Sequence, residues 1–280
     1  MTVTEAAPFP VADGDRIALV VAHPDDEALW FSSILNRVWK IIICYRGNAK
    51  NPTVAEARRL SLAGHPLAER IVDLALEEGL SIDRADWSNP EETEDGLALR
   101  DPSSAAAYAK QAAAMRRLLP AELEGATAVF THNPWGEYGH EDHIQVCRVA
   151  TRVADDLSLP VWYGTYASVK SLPLLRRYLG RGDQHYVLQP SDPDLGTQIA
   201  AVYRRHGAWT WFDDYHWFAH DCFVRGPLDK DHGQNAGWLA PINLLDPRHE
   251  PLWTPRAPVP LTRRIRRRLS RLVRGPGDRS

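Results

Sequence analysis

Residues 17–22 form an unbroken apolar run, with Asp15 and Arg16 before it and His23-Pro24 directly after it. An apolar run of that length without polar alternation predicts a strand covered on both faces. The pattern then alternates: a short helix over 28–36, a strand over 39–45, and a long mixed segment over 54–78 broken at His65-Pro66. Residues 81–87 read as a strand and 88–102 as an acidic, turn-rich loop. An alanine-rich helix follows over 103–119, then a strand over 126–131, a helix over 144–157 and a strand over 161–166. Such alternation predicts an α/β fold, a mainly parallel Rossmann-like sheet with helices on both faces.

Beyond residue 168 the pattern loosens into an irregular C-terminal portion. Residues 197–206 have helical spacing. After them Trp209, Trp211, Tyr215 and Trp217 crowd one short stretch. Aromatic rings hold sugars over their apolar faces, but they also fill cores. With ten tryptophans in the chain, core packing is the expectation for most of them, and His206, His216 and His220 are read as non-ligands.

Two short clusters carry the chemistry. His23-Pro24-Asp25-Asp26-Glu27 sits where the first strand ends, the edge of an α/β sheet at which ligands bind. One imidazole and two adjacent carboxylates on a tight turn can hold a divalent metal and leave one carboxylate as a base. An Asp-rich helix cap accounts for one of the aspartates, but not for the histidine or the second carboxylate. Tyr138-Gly139-His140-Glu141-Asp142-His143 follows the 126–131 strand and the turn His132-Asn133-Pro134 in the same way. Two parallel strands thus bring a His/Asp group each to one sheet edge. Glu27 reads as structural, favoured by the helix dipole.

The pair of motifs resembles the LmbE/PIG-L family of metal-dependent N-acetylglucosaminyl deacetylases, whose hallmarks are His-Pro-Asp-Asp-Glu after the first strand and Gly-His-x-Asp-His farther on. The resemblance implies that His23, Asp26 and His143 bind the metal, Zn2+ or another divalent ion. It implies that Asp25 is the general base and that His140 and Tyr138 stabilise the transition state. Asp142 is placed to hold the His140 imidazole charged and oriented, and Tyr138, beside a glycine, to swing onto the oxyanion. Arg46 and Asp95 are weaker candidates for sugar hydroxyls. The family's arginine-and-glutamate pattern after the second strand falls where this chain has the His65-Pro66 break. The domain implied spans 15–262, with 168–262 as its variable, substrate-side portion. The implied substrate is an N-acetylated amino sugar or glycoconjugate. The alternative is a non-catalytic sugar- or membrane-binding relative, against which the intact Asp25 counts.

Composition adds bounds rather than chemistry. At 280 residues, 44% hydrophobic and 25% charged, the chain has the make-up of a soluble globular protein. No apolar run approaches the roughly 18–20 residues that span a bilayer, and residues 1–14 read as a flexible lead-in, not a signal peptide. Three scattered cysteines suggest no disulfide framework, so a cytoplasmic location is expected. The net charge of −3 conceals an asymmetry: eight arginines and one aspartate from Arg263 onward carry +7, leaving −10 on residues 1–262. Within the 263–280 tail, residues 263–274 place Ile265, Leu269, Leu272 and Val273 at helical spacing among arginines. That stretch is expected to lie on an anionic membrane surface, peripheral to the inner face, the alternatives being a disordered tail or docking on the acidic body of the same protein. No nucleic-acid-reading module accompanies it.

Overall fold

The computed structural model describes residues 14–48, 50–178, 185–228 and 240–245. In chain order the strands are β1 (Ile17–Val21), β2 (Val38–Gly47), β3 (Ile71–Glu77), β4 (Glu92–Thr93), β5 (Gly96–Leu97), β6 (Ala128–Thr131), β7 (Val161–Gly164), β8 (Tyr166–Ala167), β9 (Tyr186–Pro190), β10 (His220–Gly226) and β11 (Asn243–Leu244). The helices are α1 (Asp26–Trp30), α2 (Pro52–Ala63), α3 (Pro102–Glu122), α4 (Glu141–Asp156), α5 (Leu172–Leu175) and α6 (Pro193–His206). A seven-stranded sheet runs in the order β3-β2-β1-β6-β7-β10-β9. Its first five strands are parallel, while β10 is antiparallel to both β7 and β9. The fold is the expected α/β class, mostly parallel.

β1 is apolar on both faces because both are covered. Ile17, Leu19 and Val21 point into one core with Leu29, Leu62, Ile199 and Tyr203 from α1, α2 and α6. Ala18 and Val20 point the other way, into a core with Met115 and Leu119 of α3 and Val146 and Val153 of α4. Helix ends are set locally: Asp101 accepts from Ser104 N at the start of α3, and Asp192 from Leu195 N at the start of α6.

The topology fixes where a site can form. From β1 the chain builds outward through β2 and β3 on one side, then returns to lay β6 and β7 on the other. The carboxyl ends of β1 and β6 therefore flank a switch point, where the loops diverge and leave a crevice. Both motifs start there.

Several segments depart from the sequence expectation. The helix expected over 28–36 is the five-residue α1 and a 3-10 turn at Ser32–Ile34. The 88–102 loop holds β4 and β5, and β9 and β10 join the sheet from the portion read as irregular. Residues 54–78 are not one broken helix: α2 ends before Gly64, and β3 follows as an edge strand. Residues 81–87 form no strand, only a bridge between Ala85 and Leu99. Their backbone N–H groups go elsewhere: those of Asp83, Arg84 and Ala85 all donate to the Glu141 carboxylate. No helix among the described residues is long and apolar enough to cross a membrane. The basic tail, and the membrane contact expected of it, lie outside the described residues.

Candidate active site

The β1–α1 turn presents the first motif. Asp25 sits at φ +99°, a left-handed conformation uncommon for a residue other than glycine. Neighbouring groups hold it there: its N–H donates to Glu27 Oε2 at 3.1 Å, and its Oδ2 accepts from both Thr210 N (3.0 Å) and Thr210 Oγ (2.7 Å). Glu27 is fully buried and also accepts from Tyr203 Oη at 2.8 Å. Its structural reading holds, as the brace of the Asp25 turn.

Asp26 is the hub. Its Oδ2 accepts from His23 N at 2.7 Å and its Oδ1 from Trp30 Nε1 at 3.1 Å. Three imidazoles surround it: His23 Nδ1 at 3.4 Å, His132 Nε2 at 3.4 Å and His143 Nε2 at 3.3 Å. Burial alone would raise its pKa. The rings of His143, His132 and His23 override that and hold the carboxyl well below the ordinary carboxylate range.

The second motif arrives on a fixed turn, not a loose one. Gly136 and Gly139 take φ of +68° and +90°. A Cβ at Gly136 would fall 2.6 Å from His140 O, and one at Gly139 2.8 Å from Lys170 Cδ. Tyr138 O accepts from Ser168 Oγ at 3.1 Å, and the Tyr138 ring packs against Trp211, His143 and His140. The swinging loop expected for Tyr138 gives way to a packed tyrosine that lines the cavity. His140 caps α4, its ring stacked on that of His143 at 4.9 Å.

Asp142 does not meet the His140 ring. Its Oδ2 lies 3.2 Å from His23 Nε2, and its Oδ1 accepts from Ser81 Oγ at 2.6 Å. His140 instead accepts the Asp142 backbone N–H on Nδ1 at 3.1 Å. That bond pins the tautomer with the proton on Nε2. Burial, then the His23 and His143 charges, push the His140 pKa well below the usual value, which favours the neutral ring.

His23, Asp26 and His143 form a buried group whose ligand atoms lie within 4.8 Å of one another. The fit to a cation is chemical as well as spatial. His143 Nε2 is buried without a hydrogen-bond partner, while its Nδ1 is held 2.7 Å from Glu137 Oε2. His23 Nε2 is likewise tied to Asp142, leaving Nδ1 towards Asp26. Metal-binding histidines are oriented by carboxylates in this way. Burial opposes charge on the His23 ring, yet the Asp142 and Asp26 carboxylates keep its pKa up at about 10.

The crevice is a cavity of about 280 Å³, lined by the catalytic candidates and by Asn48, Arg58, Glu78, Leu80, Ile82, Thr210 and Trp211. Arg46 and Asp95 are not among its lining residues. Arg46 pairs with Asp73 on β3, and Asp95 with Arg116 of α3. The arginine that lines the cavity is Arg58, on α2 upstream of the His65-Pro66 break and paired with Glu78. Glu137 and His132 were also missed, although His132 follows β6 just as His23 follows the first apolar run.

Residues 18–154 match the model of the PIG-L family, described as GlcNAc-PI de-N-acetylase. These residues are a PIG-L domain. Both motifs fall inside the match, and Thr210 and Trp211 outside it. No curated protein matches the chain. Among solved structures, a deacetylase–teicoplanin complex from teicoplanin biosynthesis is 15% identical with a TM-score of 0.47, covering 78% of this chain and 99% of that one. The A40926 pseudoaglycone deacetylase Dbv21 is 14% identical with a TM-score of 0.45, covering 76% and 97%.

The PIG-L domain takes support for Asp25 from beyond its own end. Thr210→Val removes one of two bonds to Asp25 Oδ2 and keeps the other. A hydrogen bond to a buried charged group contributes about 1.5–3 kcal/mol, part of which relaxation recovers. Turnover is expected to fall roughly tenfold with metal content unchanged, and Thr210→Ser to restore it. Equal turnover in all three proteins would show that Asp25 needs no help from Thr210.

Proposed function

We propose that this protein is a zinc-dependent deacetylase that hydrolyses the N-acetyl group of an amino sugar or glycoconjugate, with Asp25 as the base. The observation that carries the reading is Asp25 itself: a carboxylate lining the cavity, beside a His/Asp/His cation group, with one oxygen unengaged. Both of Thr210's bonds go to Oδ2, which leaves Oδ1 to face water. Burial, with the Asp26 charge adding, raises the Asp25 pKa to about 8. A carboxyl group tuned towards neutrality can both take a proton and return it.

A divalent ion held by His23, Asp26 and His143 would supply Lewis acidity to the amide carbonyl and acidity to water. Two imidazoles and one carboxylate suit zinc, and leave a position open. Asp25 Oδ1 takes a proton from the attacking water as the oxygen bonds to the carbonyl carbon. His140 Nε2–H and the Tyr138 hydroxyl donate to the oxygen that becomes negative. Asp25 then gives its proton to the departing nitrogen as the C–N bond breaks, releasing acetate and a free amine. Arg58, Glu78 and Asn48, which also line the cavity, offer donors and acceptors to the sugar hydroxyls.

Acetate release from N-acetylglucosaminides tests this reading. Activity is expected in the zinc-loaded protein, to vanish on chelation and to return with added zinc. A chelated, metal-free protein with full activity would overturn it.

A further inference from the structure

The cavity has two properties that bear on which substrate enters it: its charge and its rim. Four carboxylates line the cavity, Asp25, Asp26, Glu78 and Asp142, against the single guanidinium of Arg58. That guanidinium is ion-paired with Glu78, whose other oxygen accepts from Asn48 Nδ2 at 2.8 Å. Lys170, close enough for its charge to act on His140, is held 2.8 Å from Asp83 Oδ1 over the Trp87 ring. Both of these cations therefore have a carboxylate partner, and one divalent ion does not turn the lining positive. A phosphate entering here meets a lining whose carboxylates outnumber its cations, and neither Arg58 nor Lys170 is free to receive it.

The rim is apolar and rigid. Leu80 and Ile82 stand at the cavity with Leu29 and Trp211, and Ile82 is 44% exposed. The loop that carries them is strained, with φ of +53° at Leu80 and +59° at Asp83. Such strain persists where surroundings over-determine the backbone. Here Glu141 accepts from the N–H groups of residues 83, 84 and 85 and from Trp87 Nε1, while Asp142 accepts from Ser81 Oγ. Both carboxylates lie in the first turn of α4, flanked by His140 and His143. The exposed isoleucine is thus held in register with the metal-binding group. A cavity of about 280 Å³ lies at the small end of ligand sites, roughly 300–1,000 Å³. It takes one sugar ring with its acetamido group, and the rest of the substrate emerges across this rim.

We propose that the substrate is an uncharged N-acetyl amino-sugar glycoside whose aglycone is apolar and lies on Leu80, Ile82 and Trp211, and that phosphate-linked sugars are rejected. The inference rests on the deacetylase reading above and narrows it.

The test uses the full-length, zinc-loaded protein and acetate release at low salt from four compounds: N-acetylglucosamine, its 1-phosphate, and its phenyl and hexyl glycosides. The two glycosides are expected to exceed the free sugar in kcat/KM by about tenfold or more, the scale of small apolar contacts. The 1-phosphate is expected to fall below the free sugar, with the gap narrowing as salt rises. Ile82→Ser should lower the hexyl-to-free-sugar ratio about tenfold. Asp83→Asn, which releases Lys170, should raise the 1-phosphate-to-free-sugar ratio. A preference for the 1-phosphate, or a hexyl ratio unmoved by Ile82→Ser, overturns the inference and leaves the deacetylase reading standing. If none of the four releases acetate, both fall.

Discussion

Asp25→Asn is expected to keep its metal and lose turnover by roughly a hundred- to ten-thousandfold, the range general-base assistance supplies. Asparagine preserves the shape of the turn and an oxygen for Thr210 to donate to, but cannot hold a proton at the free position. The paired measurement is metal content by atomic spectroscopy alongside acetate release. The contrast with Asp26→Asn is diagnostic. Asp26 lies within 3.4 Å of three imidazoles, so its loss should strip the ion as well as the activity. If Asp25→Asn falls less than about threefold while Asp26→Asn stays loaded, the two carboxylates have the opposite roles.

His143→Gln is expected to abolish metal binding and activity together while the fold survives. His143 is fully buried, and glutamine keeps most of its volume and a polar end. Zinc that binds the native state stabilises it by about 2.7 kcal/mol at a hundredfold excess over Kd. In a domain of roughly this size each kcal/mol moves Tm by about 2–4 °C. Added zinc should therefore raise the wild-type Tm by several degrees and leave that of His143→Gln in place. A variant that still shows the zinc-dependent shift would remove His143 from the ligand set.

Much of this was readable from the sequence because it is local. Periodicity gave β1, α3, α4 and α6 nearly in place, since each buries its own apolar pattern. His23, Asp25, Asp26, His140 and His143 were legible because each motif is contiguous and sits at a strand end. What escaped depended on pairing across the chain. β3 is an edge strand with only partly buried positions, so its pattern did not stand out from the helix before it. The 81–87 loop looked like a strand because its partner, the Glu141 carboxylate, is over fifty residues away. Arg46 and Asp95 were plausible by charge alone, and the structure pairs each with a neighbour outside the cavity. Thr210 carries no signal at all without the fold, because its function is its position beside Asp25.

That last contact bears on how such a protein can be taken apart. The family segment closes at residue 154, yet the carboxylate of Asp25, the proposed base, is gripped from residue 210, and β7, β10 and β9 complete the sheet behind it. Tyr215 and Trp217 also donate to the α1 carbonyls of Leu29 and Ala28, so the short helix bearing Asp26 is clamped by the same C-terminal stretch. The motif-bearing segment is therefore not a transplantable module. A chimera that exchanges the C-terminal half to change what is bound will also reset the geometry of Asp25, and selectivity and rate are expected to move together unless the graft restores a threonine or serine at the place of Thr210.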